Sequence, residues 1–174
     1  MIAVMHVKSE VSNKEKPNNG KRTTKRKLMG LDQHLYAEHY IASFVPRYNV
    51  TVSLTKNGAA IDIPGEPKYL VTEVGYWRKA NEIHRWFCQL DDGRDECQRI
   101  YVTRDNLRNL LDIVNEVLAD PDKGPDKLPT QSGFFFGSTD YDEYYIEDLQ
   151  ETKRIIEDAL KIDDDWTFYY QASW

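Results

Sequence analysis

Residues 76–87 carry the strongest structural signal in the chain, and their sequence is Tyr76-Trp77-Arg78-Lys79-Ala80-Asn81-Glu82-Ile83-His84-Arg85-Trp86-Phe87. If each residue turns a helix by about 100°, one stripe of the helix holds Tyr76, Ala80, Ile83 and Phe87. A second stripe, about 80° round the helix, holds Trp77, Asn81, His84 and Cys88. The pattern therefore predicts a helix over 76–88 with an apolar face, a mixed aromatic and polar face, and a charged face.

Two regions on the N-terminal side of this helix predict β structure. A first strand is indicated by the apolar positions Leu31, Leu35 and Tyr36. Two alternating runs, at residues 50–54 and 60–63, flank Asn57-Gly58. Asn-Gly between such runs is a strong signal for a two-residue hairpin turn. We therefore expect a β-hairpin centred on this dipeptide.

The C-terminal side predicts further strands and helices. Residues 99–102 predict a strand, and Thr103 or Asp105 is expected to cap an amphipathic helix with apolar positions at Leu107, Leu110, Leu111, Val114, Val117 and Leu118. The three prolines and one glycine of residues 120–131 predict a loop, and 134–136 predict a short buried strand. A last helix is expected from about Asp140 or Asp142 to Leu160, followed by a strand over 166–174.

Together these elements predict an α+β fold, with a mainly antiparallel sheet and about three helices packed mostly on one face. A length of 174 residues suits one domain. We expect a basic leader over 1–28, without apolar periodicity, and a single globular domain over 29–174.

Charge is distributed unevenly between these two parts. Residues 1–28 hold eight Lys or Arg and two Glu, a net charge of +6, whereas residues 29–174 hold 15 basic and 27 acidic residues, a net charge of −12. The acidic body is a poor match for duplex nucleic acid, because phosphate contacts need a basic face. The leader stays open between a tail for nucleic acid or an anionic surface, a solvated leader, and an extension upstream of a natural start at Met29.

The two cysteines, Cys88 and Cys97, follow no secretory signal segment. No apolar run approaches the ~18 residues that a membrane span needs. We therefore expect free thiols, a cytoplasmic location and no membrane partner. The composition does not determine the oligomeric state.

Three parts of the chain, at residues 29–36, 76–87 and 134–145 with the closing 168–174, resemble a family of small uncharacterised proteins of bacteriophages, prophages and bacteria. Family members are similar in a Met-Gly-Leu-Asp start, a Tyr-Trp-Arg-Lys-Ala-Asn-x-Ile-His-x-Trp-Phe helix and an aromatic-Ser-Trp C-terminus. Ala172 stands where the family pattern has another serine. The resemblance covers roughly residues 29–174, supports a start at Met29, and implies a setting in a phage-infected bacterial cytoplasm. It implies no activity.

The polar stripe of the predicted helix is the first candidate site. Trp77, Asn81 and His84 share this stripe, and Arg78 and Arg85 flank it. An aromatic platform, an amide, an imidazole and guanidinium groups suit a nucleotide or another planar anion. The alternative is a helix packed on two sides, with Asn81 and His84 satisfied inside a polar core.

The second candidate site is the turn at Gly137-Ser138, where a strand, a glycine and a helix N-terminus would form an anion cradle. If the predicted helix faces this turn, both share one pocket, whose ligand-binding residues would be Trp77, Arg78, Asn81, His84, Arg85, Ser138 and Asp140. The acidic residues that follow, at Asp140, Asp142, Glu143, Glu147 and Asp148, suit Mg²⁺ or acid–base chemistry. Alternatively, they only stabilise a helix N-terminus.

A zinc site is a further hypothesis, because His84 and Cys88 are four residues apart and Cys97 is a third possible ligand. The chain lacks a Cys-x-x-Cys pair, and only His34, His39 or an acidic residue remains as a fourth ligand. We therefore predict no metal and no cofactor.

The function that these patterns favour is a binding or interaction protein. It would be an accessory phage factor that engages a host macromolecule, or a protein that sequesters a small anionic, nucleotide-like ligand. The alternative is a small hydrolase or transferase acting on a phosphorylated ligand, with His84 as base and Arg78 and Arg85 as phosphate clamps.

Overall fold

A four-stranded antiparallel sheet organises the fold. The structure is a computed structural model that describes residues 30–41, 54–62, 65 and 67–174. Its strands are β1 (Asp32–Tyr40), β2 (Leu54–Lys56), β3 (Ala59–Ile61), β4 (Tyr69–Arg78), β5 (Ile100–Val102) and β6 (Thr167–Ser173). Its helices are α1 (Asn81–Gln89), α2 (Arg104–Ala119), α3 (Gly124–Lys127) and α4 (Glu143–Ala159), and a 3₁₀ turn at Pro121–Lys123 precedes α3. These elements confirm the predicted α+β fold.

The strand order of the sheet is β4-β1-β6-β5, so β6 occupies a central position. β6 runs antiparallel to both neighbours, and Tyr170 lies opposite Leu35 of β1 and Ile100 of β5. The expected first and last strands are thus confirmed, and they pair with each other.

The core lies between this sheet and the three longer helices, α1, α2 and α4. The sheet contributes the fully buried side chains of Leu35, Phe168 and Tyr170. The helices contribute the buried side chains of Ile83, Phe87, Leu107, Leu110, Val114, Val117, Leu149 and Ile156. Burial of one such large apolar side chain contributes roughly 1.5–3 kcal/mol, and the rings of Phe87 and Tyr170 stack with centroids 4.2 Å apart.

The prediction of a helix that begins at Tyr76 is wrong. Tyr76, Trp77 and Arg78 end strand β4, and α1 begins only at Asn81. Lys79 between them has a φ of 66°, in the left-handed region, which ends the strand. The residues fit a strand equally well because Trp77 is buried while its two neighbours are exposed, an alternation of period two.

The structure corrects two further predictions, both for the segment between α2 and α4. Residues 134–136 form a turn rather than a buried strand, since Phe134 is 95% exposed and the Phe136 N–H donates to the Gly133 carbonyl at 3.2 Å. Residues 120–131 contain the 3₁₀ turn and α3 in addition to loop, because a proline near the start of each supports a helical turn.

The predicted helix N-termini are confirmed by their caps. Thr103 Oγ1 accepts from the Asn106 N–H at 3.0 Å, and Asn106 Oδ1 accepts from the Thr103 N–H at 2.9 Å, which forms a reciprocal capping box for α2. Asp142 caps α4 by accepting from the N–H groups of Tyr144 and Tyr145. For each helix the sequence named two possible start residues, and the structure selects Thr103 for α2 and Asp142 for α4.

The described residues of Tyr40–Leu70 belong to a separate compact unit, and those of Met29–His39 and Val71–Trp174 form another. Within the first of these, β2 pairs antiparallel with β3. The turn between them has positive φ at Asn57 (53°) and Gly58 (80°), as a type I′ hairpin requires, so the hairpin prediction is confirmed. Residues 50–53 and 63 of that prediction lie outside the described residues.

Candidate functional site

The first residue of α1 ties the helix to the segment that precedes α4. The Asn81 Nδ2 group donates to the carbonyls of Phe136 at 3.1 Å and Ser138 at 2.7 Å. Its Oδ1 accepts from the Gln131 N–H at 2.8 Å. Because Asn81 is 2% exposed and uses both ends of its amide, its role is to hold these two segments together.

A cleft of about 320 Å³ lies beside this junction. We call it the α1–α4 cleft, because it lies between the start of α1, residues 137–140 and the first turns of α4. Its wall includes Arg78, Lys79, Glu82, Ser138, Asp140 and Asp148. Four residues of the predicted shared pocket, Arg78, Asn81, Ser138 and Asp140, thus line one cleft.

Glu82 is the most unusual side chain of the cleft. It is 2% exposed, and its Oε1 atom accepts no hydrogen bond from any described residue. Burial raises the pKa of Glu82 to about 8; a hydrogen bond to its own backbone opposes that shift, and the charge of Asp148 adds to it. A carboxyl that lines a cleft without a complete set of partners is a candidate contact for a ligand.

Asp148 is the second perturbed carboxyl of the cleft. Burial raises its pKa to about 6, and the charges of Glu147 and Asp142 add to the shift. Asp148 is therefore mostly ionised at neutral pH, whereas Glu82 is mostly protonated. The two carboxyl groups form a pair of unequal acids at one site.

The other polar groups of the cleft serve local structure. Ser138 Oγ donates to Asp140 Oδ2 at 2.9 Å and accepts from the Asp140 N–H at 3.1 Å. Arg78 Nη1 lies 3.9 Å from Asp32 Oδ1, and the Arg78 side chain is 46% exposed. These contacts leave Glu82 and Asp148 as the chemically distinctive part of the cleft.

His84 does not line the cleft but belongs to a buried relay of hydrogen bonds. Its Nδ1 lies 2.8 Å from the hydroxyl of Tyr170, which donates to Gln33 Oε1 at 3.0 Å. Its Nε2 lies 2.9 Å from Asp95 Oδ1. Burial lowers the pKa of His84, and the Asp95 carboxylate opposes that shift. His84 is 1% exposed and does not line the cleft, so the cleft gives no support to the hydrolase hypothesis with His84 as base.

The remaining predicted site residues also lie elsewhere. Trp77 is buried, and its Nε1 donates to Thr152 Oγ1 at 2.9 Å, which joins β4 to α4. Arg85 is half-buried on α1, does not line the cleft, and its Nε has no hydrogen-bond partner among the described residues. The grouping of Trp77 with Asn81 and His84 on one helical face fails because Trp77 belongs to a strand.

The sequence patterns gave no signal for Glu82, a charged residue outside both stripes of the predicted helix. Its partner Asp148 was noted only within an acidic cluster, and no local pattern links two residues so far apart in the chain.

The structure also groups His84 and Cys88 with Asp95, whose ligand atoms lie within 4.8 Å of one another, and Cys97 is not in that group.

No protein-family model, curated protein or solved structure matches this chain. Among the described residues, none of the helices has the length and apolar character needed to cross a membrane.

Proposed function

We propose that this protein binds a small organic cation in the α1–α4 cleft, with Glu82 and Asp148 as its recognition groups. The observation that carries the proposal is the buried Oε1 atom of Glu82, a residue of the cleft wall, which has no hydrogen-bond donor among the described residues. An ammonium or guanidinium group supplies such a donor together with a compensating charge.

The charge of the cleft supports a cation rather than the anion expected from the sequence. Five acidic residues line the cleft, at Glu82, Asp140, Asp142, Glu147 and Asp148, beside the two basic residues Arg78 and Lys79. The ionised Asp148 is half-buried, and it attracts positive charge more strongly than an exposed carboxylate does, because the local dielectric is lower. The two basic residues suit an anionic or polar group at the other end of the ligand.

The size and spacing of the site support an organic ligand rather than a bare metal ion. A volume of about 320 Å³ lies at the small end of the range for small-molecule pockets. Among the described residues, the cleft carboxylates include no three whose ligand atoms lie within 4.8 Å of one another, which is the spacing a single ion needs. An amine with several carbon atoms bridges wider gaps.

The test compares cationic and anionic probes by isothermal titration calorimetry at pH 7. We expect agmatine or putrescine to bind, and we expect adenosine monophosphate and inorganic phosphate to bind weakly or not at all. Asp148→Asn keeps the size of the side chain but removes its charge, and it should weaken binding of the cation about 10-fold, since loss of one close charge pair costs ~1.4 kcal/mol or more.

The matched control is Asp158→Asn, which makes the same charge change further along α4, where Asp158 pairs with Lys161. It should leave binding unchanged. The proposal fails if the anions bind more tightly than both cations, or if the two variants weaken binding equally.

A further inference from the structure

The hydrogen bonds around His84 determine which ring nitrogen carries the proton. Gln33 Nε2 donates to the Ala80 carbonyl at 3.0 Å, so Gln33 Oε1 must be an acceptor. The Tyr170 hydroxyl donates its only hydrogen to that oxygen, at 3.0 Å. The Tyr170 oxygen can therefore only accept from His84, so Nδ1 of His84 carries the hydrogen and donates it at 2.8 Å.

In the neutral ring, this assignment leaves a lone pair on Nε2 that faces other electron-pair donors. Asp95 Oδ1 lies 2.9 Å from Nε2, and Cys88 Sγ lies 3.7 Å from it. At this distance Nε2 and the carboxylate hold a positive charge between them, which is either a proton on the ring or a metal ion bound by the lone pair. The Cys88 sulfur beside the same nitrogen is a third ligand for a metal ion, whereas a proton needs no such ligand.

The three side chains offer the ligand types that a zinc ion prefers: an imidazole nitrogen, a sulfur and a carboxylate oxygen. In a tetrahedral zinc site, bond lengths near 2.0–2.3 Å place nitrogen and sulfur about 3.6 Å apart and nitrogen and oxygen about 3.4 Å apart. The observed separations of 3.7 and 2.9 Å lie within about half an ångström of those values. All three ligand atoms lie within 4.8 Å of one another.

We propose that His84 Nε2, Cys88 Sγ and Asp95 Oδ1 form a binding site for one divalent transition-metal ion, with Zn²⁺ as the best match to the ligand set. The site is separate from the α1–α4 cleft and does not depend on the function proposed for it.

The surroundings match those of a metal-binding histidine. Such a residue donates a hydrogen bond from its second ring N–H to a neighbouring group that orients it. Tyr170 accepts this hydrogen bond, and Gln33 in turn accepts from Tyr170, so the ring is held with Nε2 towards the other two ligands. The His84 side chain is 2% exposed and that of Asp95 is 23% exposed, so the carboxylate faces the route by which an ion enters.

The experiment uses the full chain, purified with a reductant that contains no thiol and freed of metal by dialysis against a chelator. Titration with Co²⁺ should give the visible bands of tetrahedral cobalt and a sulfur-to-cobalt charge-transfer band in the near ultraviolet, which saturate at one ion per chain. Zn²⁺ should abolish these bands by displacement. Competition with a chromogenic chelator then gives the Zn²⁺ affinity.

The variants separate ligands from neighbours. Cys88→Ser and Asp95→Asn should weaken Zn²⁺ binding by more than about 100-fold, and Cys88→Ser should remove the charge-transfer band. Cys97→Ser is the matched control, because Cys97 is the other free cysteine but lies outside the three-residue group, and it should bind as the parent does. Tyr170→Phe should weaken binding about 10–100-fold, as loss of an orienting partner does.

Circular dichroism and thermal unfolding of the metal-free variants check that each is folded. Asp95 lies in a loop, so Asp95→Asn should fold even if Cys88→Ser does not. The proposal is overturned if the folded parent chain binds neither Co²⁺ nor Zn²⁺ in a 1:1 ratio. It is also overturned if Cys97→Ser loses as much affinity as Cys88→Ser, or if folded Asp95→Asn binds as tightly as the parent.

Discussion

Glu82 and His84 are two positions apart on α1, yet they face different surroundings. Both are almost completely buried, at 2% and 1% exposure. Burial raises the pKa of Glu82 and lowers that of His84, because in each case it disfavours the charged form. Glu82 belongs to the wall of the α1–α4 cleft and has one oxygen without a hydrogen-bond partner in the described part of the chain, whereas His84 contacts a neighbour through both ring nitrogens. Burial therefore favours the neutral form of both side chains. Their different neighbours determine what each can bind.

The largest expected effect comes from the residue that supports the start of α1. Asn81→Ala removes three hydrogen bonds and leaves the Gln131 N–H and the carbonyls of Phe136 and Ser138 without that partner. We expect the free energy of unfolding to fall by about 3 kcal/mol, since each buried unsatisfied group costs roughly 1–3 kcal/mol. Urea denaturation measures it. A loss below about 1 kcal/mol would show that the segment is held by other contacts.

Removing a hydrogen-bond partner of His84 should lower the free energy of unfolding less than Asn81→Ala does. Tyr170→Phe, studied without metal, leaves His84 Nδ1 and Gln33 Oε1 unpaired but keeps the ring that stacks on Phe87. We expect a loss of about 2 kcal/mol. Tyr169→Phe serves as the control, because Tyr169 stacks on Tyr36 instead of joining the relay. Equal losses in the two variants would contradict a relay that contributes to stability.

The raised pKa of Glu82 should make the free energy of unfolding depend on pH. The pKa of Glu82 rises from 4.5, its ordinary value, to about 8 in the folded protein, so the folded state binds more protons than the unfolded state between these values. The free energy of unfolding should therefore be highest near pH 4.5 and fall as pH rises to 8. Asp148, with a pKa raised to about 6, acts in the same direction.

Glu82→Gln should remove most of this dependence, because an amide does not ionise. We expect the variant to exceed the parent in stability at pH 6 by roughly 2 kcal/mol, with a smaller difference near pH 5. Denaturant unfolding at a series of pH values measures both curves. Parallel curves for variant and parent would mean that Glu82 is ionised at neutral pH.

The smallest effect is expected for a substitution on the exposed surface of α4, outside both the cleft and the hydrogen bonds of His84. Arg154 pairs with Glu151 and Asp158 on the exposed surface of α4. Surface ion pairs contribute little, so Arg154→Ala should leave both the thermal midpoint and cation binding unchanged. A clear shift in binding would show that charge far from the cleft, rather than Glu82 and Asp148, controls affinity.

Much of the fold was predictable because its signals are local. The spacing of apolar residues in α2, the cap at Thr103 and the Asn57-Gly58 turn each specify structure within a few residues. The helix prediction for residues 76–80 was wrong because their apolar positions fit a helical stripe and a strand alternation equally well. The position of β4 beside β1 in the sheet selects the strand. Periodicity alone does not decide such a case.

The candidate sites were less predictable because they depend on tertiary neighbours. The four-residue spacing in α1 placed His84 and Cys88 together, but the third ligand considered from the sequence was Cys97, whereas the structure brings Asp95 to this pair. The loop that follows α1 turns through positive φ at Asp92 (53°) and Gly93 (74°), and this path brings Asp95 back to the helix. No local pattern specifies that return, nor the approach of Asp148 to Glu82.

The position of β6 has a consequence for synthesis on the ribosome. β1 has two neighbours in the sheet, and the second of them, β6, is translated only after α1, α2 and α4, with Gln33 and Tyr170 lying 137 positions apart. The apolar faces of these three helices therefore lack the central strand β6 until residues 167–173 leave the exit tunnel. Because such distant pairing is slow to form, chaperones that shield apolar segments should matter most in that interval.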